Sequence, residues 1–130
     1  MSAYATVGTL DHAKSASFYD ATLSMIGWGV HANFPGWRGY SLGGTGEGFV
    51  LWVCEPFNSE PAVPGNGTMV GFMAKSHAAV EAFYEAALAN GGTDEGAPGP
   101  RPQYGPNWYS AYLRDPAGNK LCGLHTLAKS

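Results

Sequence analysis

Two segments of the chain repeat their apolar residues at helical spacing. Between Ser76 and Asn90, the residues Val80, Phe83, Tyr84, Ala87 and Leu88 fall on one face, with Ser76 placed to cap the start and Gly91 to stop the end. From His12 to Ile26 a broader stripe holds Phe18, Tyr19, Thr22, Leu23, Met25 and Ile26, opened by Asp11 and stopped by Gly27. Short alternating or apolar runs bounded by Gly and Pro predict strands over 4–9, 29–33, 36–42, 48–54, 68–74, 108–113 and 120–124.

These elements repeat. Phe18-Tyr19-Asp20-Ala21-Thr22-Leu23 matches Phe83-Tyr84-Glu85-Ala86-Ala87-Leu88 at an offset of 65, which also carries the first strand onto Met69 to Met73. Trp37 and Leu42 fall on Trp108 and Leu113 at an offset of 71. Each half therefore reads as strand, helix, then two or three strands. Module 1 spans about 1–55, a Pro/Gly-rich linker about 56–67, and module 2 about 68–125, within one domain over 1–130.

Composition narrows the function. With 7 basic and 10 acidic residues in 130 the chain is sparsely charged, at −3 net, which argues against disorder and against a nucleic-acid partner. No run approaches the roughly 18 consecutive apolar residues of a membrane span, and the start lacks a signal pattern, so a cytoplasmic protein is expected. Nineteen glycines and nine prolines predict many turns. Cys54 and Cys122 stand alone, as free thiols. The glycine-rich run 43–48 lacks a following Gly-Lys-Ser/Thr and leads into a strand, so it reads as a hairpin loop and not a phosphate cradle. Asp115-Pro116-Ala117-Gly118-Asn119 has the chemistry of a tight turn. The loop from Gly96 to Asn107, with four prolines, excludes a core strand and is either a lid or dimer arm carrying Arg101, Gln103 and Tyr104, or an ordinary surface connection.

The duplicated plan, the Phe-Tyr pair on each helix and the D-P-A-G-N turn before the last strand resemble the vicinal oxygen chelate superfamily. That group includes glyoxalase I, extradiol dioxygenases and the fosfomycin- and bleomycin-resistance proteins. The resemblance covers nearly the whole chain and is most specific from Gly71 to Leu124. It implies an α+β fold of two tandem βαβββ modules, whose curved mixed sheets surround a ligand cleft with the helices on the convex side, often in a homodimer.

The family's divalent metal sits on inward side chains of the first and last strand of each module. The positions that match are Tyr4, Leu51, Met69 and Cys122. Phenol, isobutyl, thioether and a single thiol make no hard-metal site, so no metal and no other cofactor is expected. None of His12, His31, His77 and His125 forms an H-x-H or H-x-x-x-H pair.

Alternation sketches the cleft. Ala5, Val7, Val50, Trp52, Val70, Phe72, Leu121 and Gly123 are expected to face the helices. Tyr4, Thr6, Gly8, Leu51, Val53, Met69, Gly71, Met73, Lys120, Cys122 and Leu124 are expected to face inward. Trp108 and Tyr109 are candidate cleft walls, while Arg38, Arg101 and Tyr104 are candidate polar contacts. The function expected is binding of a small organic or aromatic molecule in an apolar cleft. The alternative is a glyoxalase-type lyase, isomerase or dioxygenase, using a divalent metal or Tyr4 and Cys122 as acid and base.

Overall fold

A computed structural model of the chain describes residues 1–126. The elements run β1 (Ala3–Gly8), α1 (His12–Ser24), β2 (Trp28–Phe34), β3 (Trp37–Leu42), β4 (Phe49–Cys54), β5 (Met69–Met73), α2 (His77–Ala89), β6 (Thr93–Pro100), β7 (Tyr109–Arg114) and β8 (Lys120–His125). They form two four-stranded mixed sheets, ordered β1-β4-β3-β2 and β5-β8-β7-β6, so the α+β plan of two βαβββ modules holds. In each sheet the first strand pairs parallel with the last and the remaining pairs are antiparallel. Neither helix is long and apolar enough to cross a membrane.

Both helices start where capping chemistry dictates. The Asp11 carboxylate accepts from the Lys14 N–H at 3.0 Å, and the Ser76 hydroxyl accepts from the Ala79 N–H at 3.0 Å. The one element the sequence concealed is β6. Its glycines and prolines are compatible with a strand because it lies at the sheet edge, where a missing N–H breaks no ladder on the outer side. The run 96–107 thus divides into the end of an edge strand and a loop closed by the Arg101 N–H on the Trp108 carbonyl, at 2.8 Å.

One core serves both modules. Phe18, Tyr19 and Leu23 of α1 and Val80, Phe83 and Ala87 of α2 are buried together with Tyr40, Leu51 and Val53 from the first sheet and Phe72, Leu113 and Leu121 from the second. Trp28 meets Phe72 edge-on across the modules, with ring centroids 5.1 Å apart. Each such ring contributes about 1.5–3 kcal/mol by leaving water. Gly92 and Gly123 have no side chain because the Phe18 and Phe83 rings occupy that space, at 2.8 and 2.7 Å from where a Cβ would stand.

A polar clasp closes this core. Asp115, in the β7–β8 turn, is 3% exposed and accepts from the Tyr19 hydroxyl at 2.5 Å, the Ala117 and Asn119 N–H groups and the Asn119 amide. That amide also donates to the Gly8 carbonyl at 2.8 Å, so one turn of module 2 holds both a helix and a strand of module 1. Burial and the adjacent carboxylate raise the Tyr19 phenol well above its usual value, which keeps it a proton donor. Asp115→Ala would strand four donors in the interior and is expected to cost about 3 kcal/mol in urea unfolding, against about 1 for Tyr19→Phe. A loss below 1 kcal/mol in Asp115→Ala would contradict the clasp.

Candidate functional site

Because one face of each sheet is committed to the shared core, the other face is open. In module 1 the register places Tyr4, Val50 and Ser41 in one row across the strands, then Thr6, Trp52 and Gly39, then Gly8, Cys54 and Trp37. Trp52 is the centre. Its ring lies on Gly39, where a Cβ would come within 2.7 Å. His31, Phe34 and Trp37 surround it at centroid distances of 6.0, 6.2 and 6.0 Å, with Phe34 stacked at 29°. Phe34, Trp37 and Tyr4 are all exposed. Below this cluster a cavity of about 400 Å³ has Thr6, Gly8 and Cys54 as its floor, with Trp37, Glu55 and Phe57 at its sides.

This corrects the expected inward set. Leu51 and Val53 are core residues, 0% and 2% exposed, and Trp52 takes the open face in their place. The cause is a loop. Ser41 and Val50 stand opposite each other in module 1, and Arg114 and Lys120 do so in module 2, separations of 9 and 6 residues. The extra three residues fall in the glycine-rich run, where Gly43, Gly44, Gly46 and Gly48 all adopt positive φ near 70° to 80° that other residues resist. The last strands are therefore related by 70 residues (Trp52 to Cys122), not 71, and a slip of one exchanges the faces. The loop itself folds against the open face, its Gly46 N–H donating to the buried Ser41 hydroxyl at 2.8 Å with the His31 ring packed on Gly46.

In module 2 the open face holds Met69, Lys120 and Arg114, then Gly71, Cys122 and Tyr112, then Met73, Leu124 and Ser110. Burial raises the Cys122 thiol, partly offset by the Tyr112 hydroxyl and by Arg101 and Lys120 nearby. Burial raises the Cys54 thiol as well. Neither is poised as a thiolate.

The structure thus puts Tyr4, Thr6, Met69, Met73 and Cys122 on open faces, with Arg101 beside Tyr112, 5.6 Å from its ring centroid. It does not bring Tyr4 and Cys122 onto one face, since they belong to different sheets. Tyr109 leaves the expected set. Its register partner is His125, it stacks on His77 at 3.8 Å and its hydroxyl donates to Glu81 of α2 at 2.5 Å, all on the helix side. Trp108 is half-buried just ahead of β7, with a buried indole N–H that has no partner among the described residues, beside a cavity of about 140 Å³ lined by His77, Pro100 and Tyr109. Tyr104 is exposed and meets Trp108 edge-on at 5.8 Å. Arg38 is bound to Asp20 of α1 at 2.7 Å, away from the open face.

With the register corrected, the first- and last-strand positions that a family metal would use are Tyr4, Trp52, Met69 and Cys122. An indole, a thioether, a phenol and one buried thiol held above its usual value do not fit a divalent ion, whichever modules come together. Among the described residues, no three His, Cys, Asp or Glu side chains stand close enough to hold one elsewhere.

The family model of the glyoxalase/bleomycin resistance protein/dioxygenase superfamily matches residues 2–122. No curated protein matches the sequence. Among solved structures, a glyoxalase/bleomycin resistance protein from Albidiferax ferrireducens T118 is 39% identical, with a TM-score of 0.83 over 96% of this chain and 97% of that one. A glyoxalase-related enzyme from Fulvimarina pelagi, at 22% identity and a TM-score of 0.76, covers 97% of this chain and 88% of its own. The lactoylglutathione lyase of Agrobacterium tumefaciens, at 19% and 0.64 over 96% of this chain and 92% of its own, shares the fold. The duplicated βαβββ modules, the open faces and the match over 2–122 agree: the chain belongs to the glyoxalase/bleomycin resistance protein/dioxygenase superfamily.

Proposed function

We propose that this protein binds a small aromatic molecule by stacking, without a metal, in a cleft that a second copy of the chain completes. The observation that carries this reading is the Trp52 cluster: four aromatic side chains gathered on a sheet face that the core does not need. A planar ligand on such a surface gains burial and ring stacking without displacing any protein partner. The cavity beneath Trp37 offers room for a substituent.

What one chain leaves uncovered supports the second copy. Tyr4, Met69 and Met73 are 63%, 47% and 59% exposed, all on the open faces. Strands β1 and β5 are sheet edges with one side unpaired, and apolar edges of this kind are normally covered. A two-fold axis that set β1 of one copy beside β5 of the other would cover both edges twice and turn the aromatic face of one toward the thiol-bearing face of its partner. Two buried free thiols suit a reducing compartment, which agrees with the expected cytoplasmic location.

The rival reading, Tyr4 and Cys122 as acid and base of a lyase, is the weaker one. It asks for a ready thiolate, and burial opposes that.

Trp52→Ala is expected to weaken binding of naphthalene-2-carboxamide about tenfold or more by calorimetry. Gly71→Phe, at a position where a Cβ meets nothing within 4 Å, is expected to keep the fold and block the same probe. Unchanged affinity in both variants would contradict the cleft as drawn. Light scattering on a sizing column is expected to give about twice the 13.7 kDa chain mass, and a monomer at high concentration would contradict the shared cleft.

A further inference from the structure

The open face of module 2 carries two cations that no carboxylate among the described residues neutralises. Arg101 reaches over Tyr112 from the β6 side, its guanidinium carbon 5.6 Å from the ring centroid, and the Lys120 ammonium approaches the same ring from β8 at 5.7 Å. Among the described residues neither has a carboxylate partner, although the chain has more acidic than basic residues. Glu95, which β6 brings to this end of the sheet, is bound to Arg114 at 3.3 Å.

Arg101 is positioned rather than merely present. Its guanidinium lies in a slot that Gly96 and Gly99 leave open, since Cβ atoms there would stand 3.3 Å from Nη2 and 3.2 Å from Nη1. Nη2 donates to the Ala97 carbonyl at 2.8 Å and Nη1 to the Pro100 carbonyl at 3.4 Å, which fixes the plane and leaves other N–H groups free. The Tyr112 hydroxyl, in contact with the Ser110 hydroxyl at 3.2 Å, is a further polar group on the face. Both cations favour the charged form of the Cys122 thiol against its burial, so their field reaches the middle of the face. Met69 is the register neighbour of Lys120 on β5 and puts an apolar side chain beside the ammonium.

We propose that Arg101 and Lys120, on either side of Tyr112, form a site for a ligand carboxylate, so that the molecule bound is an aromatic acid and not a neutral or cationic ring. This rests on the aromatic-cleft reading, with the ring on the Trp52 face of one copy and the acid group on this face of the other. A held guanidinium suits the planar, two-oxygen geometry of a carboxylate, and the lysine adds a mobile point charge.

The test is calorimetric titration of the full chain with 2-naphthoate, its neutral isostere naphthalene-2-carboxamide, and inorganic phosphate. The wild type is expected to bind 2-naphthoate about tenfold tighter than the carboxamide, with this ratio falling toward one in Arg101→Gln and in Lys120→Gln and shrinking in high salt. Equal affinity for the two naphthalenes in the wild type would overturn the carboxylate site and leave the aromatic cleft standing. Binding of phosphate alone, lost in Arg101→Gln, with neither naphthalene bound, would support the anion site and overturn the aromatic cleft. No binding of any of the three would overturn both.

Discussion

The joint burial of α1 and α2 against each other and against one face of each sheet is the constraint from which the rest follows. Phe18, Tyr19, Val80 and Phe83 are wholly buried in one cluster, so the helices and the core faces of both sheets are consumed in holding the modules together. Asp115 makes that union specific. A single buried carboxylate ties the β7–β8 turn to α1, and Asn119 beside it ties the same turn to the end of β1. With the inner faces spent, whatever the protein binds must meet the outer ones.

Those outer faces have diverged in chemistry while keeping the same register logic. Module 1 presents indole and phenyl rings about Trp52, and module 2 presents thioethers, a thiol, a phenol and two cations. At the four strand positions where the superfamily's metal chemistry would place hard ligands, neither module supplies a carboxylate or an imidazole. Membership of the superfamily therefore transfers the scaffold, while the chemistry has to be read from Trp52, Arg101, Lys120 and their neighbours.

Much of this was legible in the residues alone. The helical stripes with their Asp11 and Ser76 caps, the offset of 65 between the Phe-Tyr pairs and the turn at Asp115 are strong local signals, and they led to the correct α+β plan. The failures share a physical cause: loop length and edge position carry little periodic signal. One offset applied to both later strands of the module hid the longer 43–48 loop, which sent Leu51 and Val53 to the wrong face and concealed Trp52. The prolines of 96–107 exclude a core strand, and the edge strand that β6 makes up to Pro100 left no periodic signal to read. Tyr109 was ambiguous because its aromatic character suits either face, and only its pairing with His125 and its bond to Glu81 decide it.

The absence of hard donors at Tyr4, Trp52, Met69 and Cys122 is the point on which the account stands or falls, since a metal would restore the superfamily's lyase and dioxygenase chemistry to the cleft. The decisive measurement is calorimetric titration of chelator-stripped protein with Zn²⁺, Ni²⁺, Mn²⁺ and Fe²⁺, with elemental analysis of the protein as purified. The account predicts no stoichiometric ion in either experiment. Tight binding of one ion per cleft would contradict it.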